Sequence, residues 1–409
     1  MVRNSNGKCV PLSQCPCVFG GEEYNDGETT MSNCNKCVCK QGTWQCTENE
    51  CKSTCSIFGD GHTQTFDGKW YHFNGVCKYT VVTDYCGEAE GSFQIVTQSI
   101  ACCEGGVTCA RTVTIMLPEK NIVLEDGKVT VVATNSTAAG AEDDEPLITK
   151  GLNIERVGLS TYVGVDGIFS LQWDQSTRFS VTLETGYKGK VCGLCGNNNG
   201  DMKDDFTTRQ NSVEAGSLIF ANTWKTETNC KDTETEIFPC DKNPYCKLEA
   251  EKKCSIIKES TFQSCHSKVP PDSYYDACKR DACICGMQNK DSGLCNTIAM
   301  YAQACNNAGA CIDWRSPTLC PIYCDYYNSP GDYRWHYEPC GTIKSKTCND
   351  QFVGQKFSNV VEGCFAKCPA KAPYLDTNLM KCVSQPQCSC FYKDVVPAGS
   401  TVTSDQRDT

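Results

Sequence analysis

The sequence predicts a multidomain, disulfide-rich protein, with an antiparallel β-sandwich domain, a small helical domain and irregular cysteine-rich modules. The chain has 36 cysteines in 409 residues, a proportion typical of disulfide scaffolds made in an oxidising compartment. Cysteines are frequent in the N-terminal segment and in the C-terminal half of the chain, but none lies between Cys109 and Cys192. Several short runs in this part of the chain alternate apolar and polar residues with period two, which indicates strands.

The N-terminal segment is divided into two small modules, residues 1–17 and 18–54. It holds eight cysteines and no apolar run long enough to form a core, so disulfides must hold it together. The first residues lack the apolar core of a signal peptide. We interpret the chain as a piece excised from a longer secreted protein.

Residues 55–232 are predicted to form the β-sandwich domain. This stretch is long enough to bury a core of its own, so it needs fewer disulfides than the segments around it. The alternating runs are residues 79–83, 92–97, 112–117, 129–132, 162–165, 169–173 and 179–183.

Residues 240–324 combine many cysteines with apolar residues at helical spacing, as in 248–257 and 295–305, which predicts a small helical domain. Residues 325–390 return to loops and cysteines, and residues 391–409 form a polar tail.

The charge of the chain excludes several classes of partner. The net charge is −11 and the isoelectric point is near 5.0, and no cluster of lysine and arginine suggests nucleic acid. An acidic secreted surface suits Ca²⁺ or basic proteins instead. Since no run of about 20 apolar residues occurs, no membrane span is predicted.

Five oxygen-bearing side chains within nine residues after a glycine are candidate ligands for a metal ion. They are Asn197, Asn199, Asp201, Asp204 and Asp205. Ca²⁺ prefers six to eight such hard oxygen ligands, but this loop is not an EF-hand, because Met202 and Thr208 stand where glycine and glutamate are required. A polar turn whose side chains cap their own backbone explains the residues equally well.

Several longer motifs resemble those of a known protein family. Residues 55–62 and the turn containing Asp67 resemble the opening of a von Willebrand factor type D (VWD) domain, and residues 192–200 with 204–206 resemble its closing loop. The helical segment resembles a C8 domain, and the segment after it a trypsin-inhibitor-like (TIL) domain. The N-terminal modules resemble the TIL and E modules that precede the third D assembly of this family.

The segments 319–328 and 335–340 resemble gel-forming mucins in particular, and the resemblance covers residues 9–390. It implies a structural, non-enzymatic assembly and spacing module of a secreted mucin-like glycoprotein. Such a module is expected to self-associate as a homo-oligomer and to associate with other mucin chains. It also implies a Ca²⁺ site in which Asp67 joins the five loop residues, with Asp201 as the weakest ligand, contributing only its carbonyl oxygen. Calcium is the cofactor expected.

Cys192 and Cys195 form a Cys-x-x-Cys pair. The acidic loop after it would raise a thiol pKa rather than lower it, which favours two structural half-cystines bonded to different partners over disulfide exchange. Zinc at Cys34 and Cys37 is disfavoured, because the surrounding cysteines suit a bridged module.

The residues leave two further functions open. A binding module for a soluble protein partner would need an exposed patch in residues 1–54, and the TIL resemblance leaves protease inhibition as a weaker candidate. Catalysis has little support, since the chain has only four histidines. We expect His62 to be a structural residue, with pH sensing as the alternative role. The sequon at Asn135 is the expected N-glycosylation site.

Two positions depart from the gel-forming mucins. Gly293 and Tyr333 stand where the resemblance places the cysteines of the interchain disulfides. We therefore expect this chain to associate without covalent links. The pairing of the remaining cysteines cannot be derived from their spacing.

Overall fold

The computed structural model describes residues 2–3, 9–11, 15–19, 22–87, 91–101, 108–134, 151–236, 238–242, 244–283, 292–328, 334–342, 346–348, 360–392 and 394–401. These residues are mostly β-sheet, with helices between 217 and 307 and 14 disulfides among them. The predicted fold class is confirmed. Within the described residues, no helix is both long enough and apolar enough to cross a membrane.

The N-terminal modules consist of short hairpins fastened by disulfides. The strands are β1 (Val2–Arg3), β2 (Cys9–Val10), β3 (Cys17–Phe19), β4 (Glu22–Tyr24), β5 (Thr29–Ser32), β6 (Asn35–Lys40) and β7 (Thr43–Cys46). The disulfides are Cys17–Cys39, Cys34–Cys51 and Cys37–Cys46. Cys17, predicted to end the first module, is thus bonded to Cys39 of the second.

The β domain is a sandwich of two antiparallel sheets. The seven-stranded sheet has the order β10-β9-β8-β19-β18-β17-β16, and the five-stranded sheet runs from β11 to β15. The strands are β8 (Ser53–Phe58), β9 (His62–Gln64), β10 (Trp70–His72), β11 (Lys78–Thr83), β12 (Gln94–Ala101), β13 (Thr108–Met116), β14 (Lys120–Glu125), β15 (Lys128–Ala133), β16 (Leu152–Val157), β17 (Ser160–Val165), β18 (Phe169–Trp173) and β19 (Phe179–Leu183).

The alternation that predicted the strands follows from which face of each strand is buried. Phe169, Leu171 and Trp173 of β18 point into the sandwich, while the residues between them are only partly buried. Strand β8 has no such pattern, because Cys55 to Phe58 are all buried. Its outer face is covered by the helical domain, so its sequence lacks the period-two signal that marks strands such as β18.

The helical domain has five α-helices among the described residues. They are α2 (Pro239–Lys242), α3 (Pro244–Cys254), α4 (Gln263–His266), α5 (Asp272–Ala282) and α6 (Ser292–Asn307); α1 (Ser217–Thr223) belongs to the β domain. The helical domain packs against β8 and β10 through three aromatic side chains, Phe58, Trp70 and Tyr274. The ring centroids of Trp70 and Tyr274 lie 4.8 Å apart, and all three rings contact one hydrophobic core.

The last segment is built of short strands. They are β20 (Trp335–Gly341), β21 (Lys346–Thr347), β22 (Val361–Ala366), β23 (Tyr374–Asp376), β24 (Lys381–Val383), β25 (Cys390–Tyr392) and β26 (Asp394–Val396). The disulfide Cys311–Cys340 ties the segment to the helical domain. Arg315 makes an ion pair with Glu362 of β22.

Strand β22 also touches the β domain, at the turn between β16 and β17. The backbones of Gly158 and Gly363 approach so closely that a Cβ atom on Gly363 would lie 2.3 Å from the Cα of Gly158. The amide of Leu159 donates a hydrogen bond to the carbonyl of Glu362, at 3.3 Å. The terminal segment is therefore fastened to both larger domains.

Candidate metal site and half-cystines

The loop after β19 lies against the edge of the five-stranded sheet. The amide of Cys195 donates to the carbonyl of Val81 at 3.0 Å, and Cys192 and Thr83 exchange two backbone hydrogen bonds. Cys192 is bonded to Cys86 and Cys195 to Cys55. The two cysteines are thus half-cystines with different partners, and neither is a free thiol available for exchange.

Asp67 connects the oxygen-rich loop to the turn between β9 and β10. Its Oδ1 accepts a hydrogen bond from the amide of Gly200 at 2.8 Å, and its Oδ2 accepts one from the amide of Asn199 at 3.1 Å. The Asn197 Oδ1 accepts from the same Asn199 amide at 3.2 Å. Asp67 therefore contacts Asn199 and Gly200, which follow it by more than 130 positions in the sequence.

Asp204 and Asp205 each use only one carboxylate oxygen. The Asn199 Nδ2 donates to Asp204 Oδ2 at 2.8 Å, and the Thr65 hydroxyl donates to Asp205 Oδ2 at 2.7 Å. The Oδ1 atoms of both aspartates are buried and have no hydrogen-bond partner. A buried carboxylate oxygen without a partner is costly, so this pair of atoms is suited to a bound cation.

The site is also electrostatically crowded. Burial, with a further contribution from the nearby charge of Asp67, raises the pKa of Asp205 to about 6, although the Thr65 hydrogen bond acts to lower it. Two carboxylates at close range without a counter-charge disfavour ionisation. A divalent cation would reverse this preference by neutralising both.

Asp201 differs from the other members of the set. Its side chain is exposed, and its Oδ1 accepts a hydrogen bond from the amide of Lys203 at 3.0 Å. Across the described ranges, no three His, Cys, Asp or Glu side chains form a group that could hold a metal by themselves. The amide oxygens of Asn197 and Asn199 would have to complete the set, and such mixed donors are typical for Ca²⁺.

Comparison with known proteins matches four family models in chain order. A von Willebrand factor-like domain matches residues 22–49, the von Willebrand factor type D domain 55–212, the C8 domain 253–321, and the Otogelin-like/Mucin TIL domain 333–388. Mucin-19 of Mus musculus is 55% identical over 405 residues, which is 99% of this chain. The chain is a VWD–C8–TIL assembly of the mucin type.

Further mucins are similar along the same length. Mucin-2 of Rattus norvegicus is 41% identical over 99% of this chain, and Mucin-5AC of Homo sapiens is 39% identical over 99%. The assembly spans only 5%, 26% and 7% of the three relatives named here. These relatives are structural, non-enzymatic glycoproteins, so the mucin assembly is assigned as a structural module and not an enzyme.

Gly293, one of the two expected interchain positions, lies in α6 of the C8 domain and faces α5. A Cβ atom there would come within 3.0 Å of the carbonyl oxygen of Asp281. Glycine therefore allows the two helices to pack closely. Tyr333 and Asn135 lie outside the described residues.

Two residues that shape the candidate metal site were not expected from the sequence. Thr65 holds Asp205, and Asn198 adopts a φ of 55° that turns the loop while its side chain donates to the carbonyl of Tyr187 at 3.3 Å. The run of three asparagines before Gly200 was a signal for such a left-handed turn, because asparagine tolerates positive φ. Thr65 had no comparable signal.

Proposed function

We propose that this VWD–C8–TIL assembly is a structural and spacing module of a secreted, gel-forming mucin-like glycoprotein, stabilised by Ca²⁺ and able to associate with further mucin chains. The similarity to several mucins over nearly the whole chain is the observation that carries this proposal. The close packing of the VWD, C8 and TIL domains supports a rigid spacer. Secretion and N-glycosylation at Asn135 are part of the same proposal.

Asp67, Asn197, Asn199, Asp204 and Asp205 would hold the calcium ion, and Asp201 would add only its backbone carbonyl. The support is the pair of buried, unpartnered Oδ1 atoms of the two consecutive aspartates, together with the crowding that raises the Asp205 pKa. The ion would supply the positive charge that this group of oxygens lacks. It would thereby fix the closing loop of the VWD domain to the turn that contains Asp67.

Calcium is expected to raise the unfolding temperature of the VWD domain, and Asp67→Asn to remove most of that rise. A ligand at about 100 times its dissociation constant stabilises the folded state by about 2.7 kcal/mol. Differential scanning calorimetry with added Ca²⁺ and with a chelator measures the shift. Asp126→Asn, in an exposed turn, is the matched control. A chelator-independent unfolding temperature in the parent chain would contradict the site.

Association is expected to be reversible and non-covalent. Gly293 carries no thiol and lies inside a helix pair, which supports an assembly without the interchain disulfide at that position. Three described cysteines are unbonded, namely Cys15, Cys246 and Cys390, so alkylation before analysis must block accidental links.

The mass of the alkylated chain in sedimentation equilibrium is expected to rise with concentration, while gels without reducing agent show only the monomer. The two measurements separate association from covalent linkage. A dimer that survives denaturant and disappears with reducing agent would show that the chain is covalently linked after all. A concentration-independent monomer mass, with and without Ca²⁺, would contradict the assembly function.

A further inference from the structure

The closing loop of the VWD domain contains a chemically reactive pair of residues, Asn199 and Gly200. Glycine has no side chain to shield its amide nitrogen, so this nitrogen can attack the side-chain amide of an asparagine that precedes it. Asn199 and Gly200 are both exposed to water, whereas Asn74, which also precedes a glycine, is buried. The sequence has three such pairs, at 6–7, outside the described residues, at 74–75 and at 199–200.

The amide nitrogen of Gly200 faces a base. It donates a hydrogen bond to Asp67 Oδ1 at 2.8 Å. A carboxylate at that distance can take the proton that the nitrogen has to lose when it attacks. The space around Gly200 is also open, since a Cβ atom there would meet nothing within 4 Å. Asp67 is therefore placed as a general base for an attack by this nitrogen.

The side-chain amide of Asn199 is held at both ends. Its Oδ1 accepts a hydrogen bond from the amide of Asp201 at 2.7 Å, and its Nδ2 donates one to Asp204 Oδ2 at 2.8 Å. A fixed donor at a carbonyl oxygen stabilises the negative charge that develops there when a nucleophile adds to the carbon. The carboxylate of Asp204 orients the nitrogen that has to leave. The group under attack is thus both oriented and polarised.

We propose that the closing loop modifies itself at Asn199 and Gly200, in a reaction that removes the side-chain amide of Asn199. The nitrogen of Gly200 forms a bond to Asn199 Cγ, and its proton passes to Asp67. The bond between Cγ and Nδ2 then breaks, and the leaving nitrogen takes that proton and departs as ammonia. Water opens the resulting succinimide ring at either of its carbonyl groups and yields aspartate or isoaspartate. The reaction consumes one water molecule and needs no oxidant or reductant.

The reaction also regulates the candidate calcium site, and this part of the inference rests on the proposed function. Asp67 and Asn199 both belong to the proposed ligand set. A divalent cation on the Asp67 carboxylate makes it a weaker base, so bound Ca²⁺ is expected to protect Asn199. Isoaspartate carries an extra carbon atom in the main chain, which displaces the ligands that follow it. A loop that stays without calcium would therefore lose the site irreversibly.

The pair at Asn74 and Gly75 is an internal control. Asn74 is buried, and a Cβ atom on Gly75 would lie 2.3 Å from the hydroxyl oxygen of Tyr79. This tight packing leaves no room for the ring to close or for water to enter. The same two residue types are therefore expected to stay intact here while Asn199 reacts.

Peptide mapping by mass spectrometry tests the proposal, with the whole folded chain incubated in chelator or in Ca²⁺. A synthetic peptide of residues 196–203, which lacks Asp67 and Asp204, is incubated beside it. In chelator, Asn199 is expected to lose its amide about tenfold faster in the folded chain than in the peptide, because only the fold supplies the base. Ca²⁺ is expected to slow this loss, and Asn74 is expected to remain unmodified in both media.

Asp67→Ala is expected to bring the loss in the folded chain down to the rate of the peptide. Alanine is used because Asp67→Asn would create a further Asn-Gly pair with Gly68. Asp313→Ala, at an exposed position outside the loop, is the matched control and is expected to keep the parent rate. Calorimetry checks that each variant is folded, and the comparison of the parent chain with the peptide needs no variant.

Two results would overturn the self-modification. One is a folded parent chain that loses the Asn199 amide no faster than the peptide, and the other is a folded Asp67→Ala chain that keeps the parent rate. Equal rates in chelator and in Ca²⁺, in a chain whose unfolding temperature Ca²⁺ raises, would refute the protection while the calcium site stands. Fast loss with no effect of Ca²⁺ on either measurement would contradict the calcium site and support the self-modification.

Discussion

Replacing Cys55 and Cys195 together by alanine is expected to destabilise the VWD domain by roughly 5 kcal/mol, since the disulfide closes a loop of 140 residues and its entropic contribution grows with loop length. That value approaches the whole stability of many domains. Both cysteines are fully buried in the sandwich core, so alanine also leaves a small cavity. In differential scanning calorimetry, the unfolding transition of the VWD domain is expected to be absent above physiological temperature.

The double replacement of Cys37 and Cys46 is the matched control. Their sequence separation is nine residues, so the expected loss is roughly 2.5 kcal/mol and is confined to the N-terminal module. The VWD transition should remain where it is in the parent chain. If both double variants lowered the unfolding temperature of the VWD domain equally, loop length would not be the cause of the destabilisation.

The second large effect is expected from one added methyl group at the contact between the TIL and VWD domains. Gly363→Ala would place its Cβ 2.3 Å from the Cα of Gly158 and 2.8 Å from the amide nitrogen of Leu159. Since these are backbone atoms, no side chain can rotate away. The cost of such overpacking is about 1–3 kcal/mol, so the TIL domain should separate from the VWD domain while Cys311–Cys340 keeps it tethered to C8.

Limited proteolysis and amide exchange in β22 measure this separation. Gly186→Ala serves as the control, because a Cβ atom there meets nothing within 4 Å and the residue, like Gly363, does not have positive φ. Faster exchange in β22 of Gly363→Ala, with an unchanged VWD transition, is the expected outcome. Equal exchange in both variants would mean that the two domains are not held by this contact.

Much of the fold could be predicted from local patterns. Strands with one buried face, such as β18, have the expected period of two, and the helical periodicity around residues 295–305 lies inside α6. Strand β8 was missed because the neighbouring helical domain buries its outer face, and a strand buried on both faces has no alternation. Disulfide pairing likewise needed the structure, since spacing alone permits many connectivities.

The candidate metal site was only partly predictable. Asn197 and Asp205 belong to one short loop, so their composition was visible in the sequence, and the family resemblance added Asp67. The hydrogen bond from Thr65 that orients Asp205, and the two unpartnered carboxylate oxygens, depend on how β9 approaches the loop. The distances between these atoms depend on tertiary packing and cannot be derived from the order of residues in the sequence.

The sequence by itself determined the disulfide-rich class of the protein, the order of its domains and the loop that offers oxygen ligands, because each of these is a property of composition or of neighbouring residues. Only the tertiary structure decided that Cys192 bonds to Cys86 and Cys195 to Cys55, and that His72 lies between Asp60 and Glu236. The reason is physical. Burial and charge pairing arise where segments distant in the sequence come into contact, and one local sequence pattern is compatible with many different tertiary contacts.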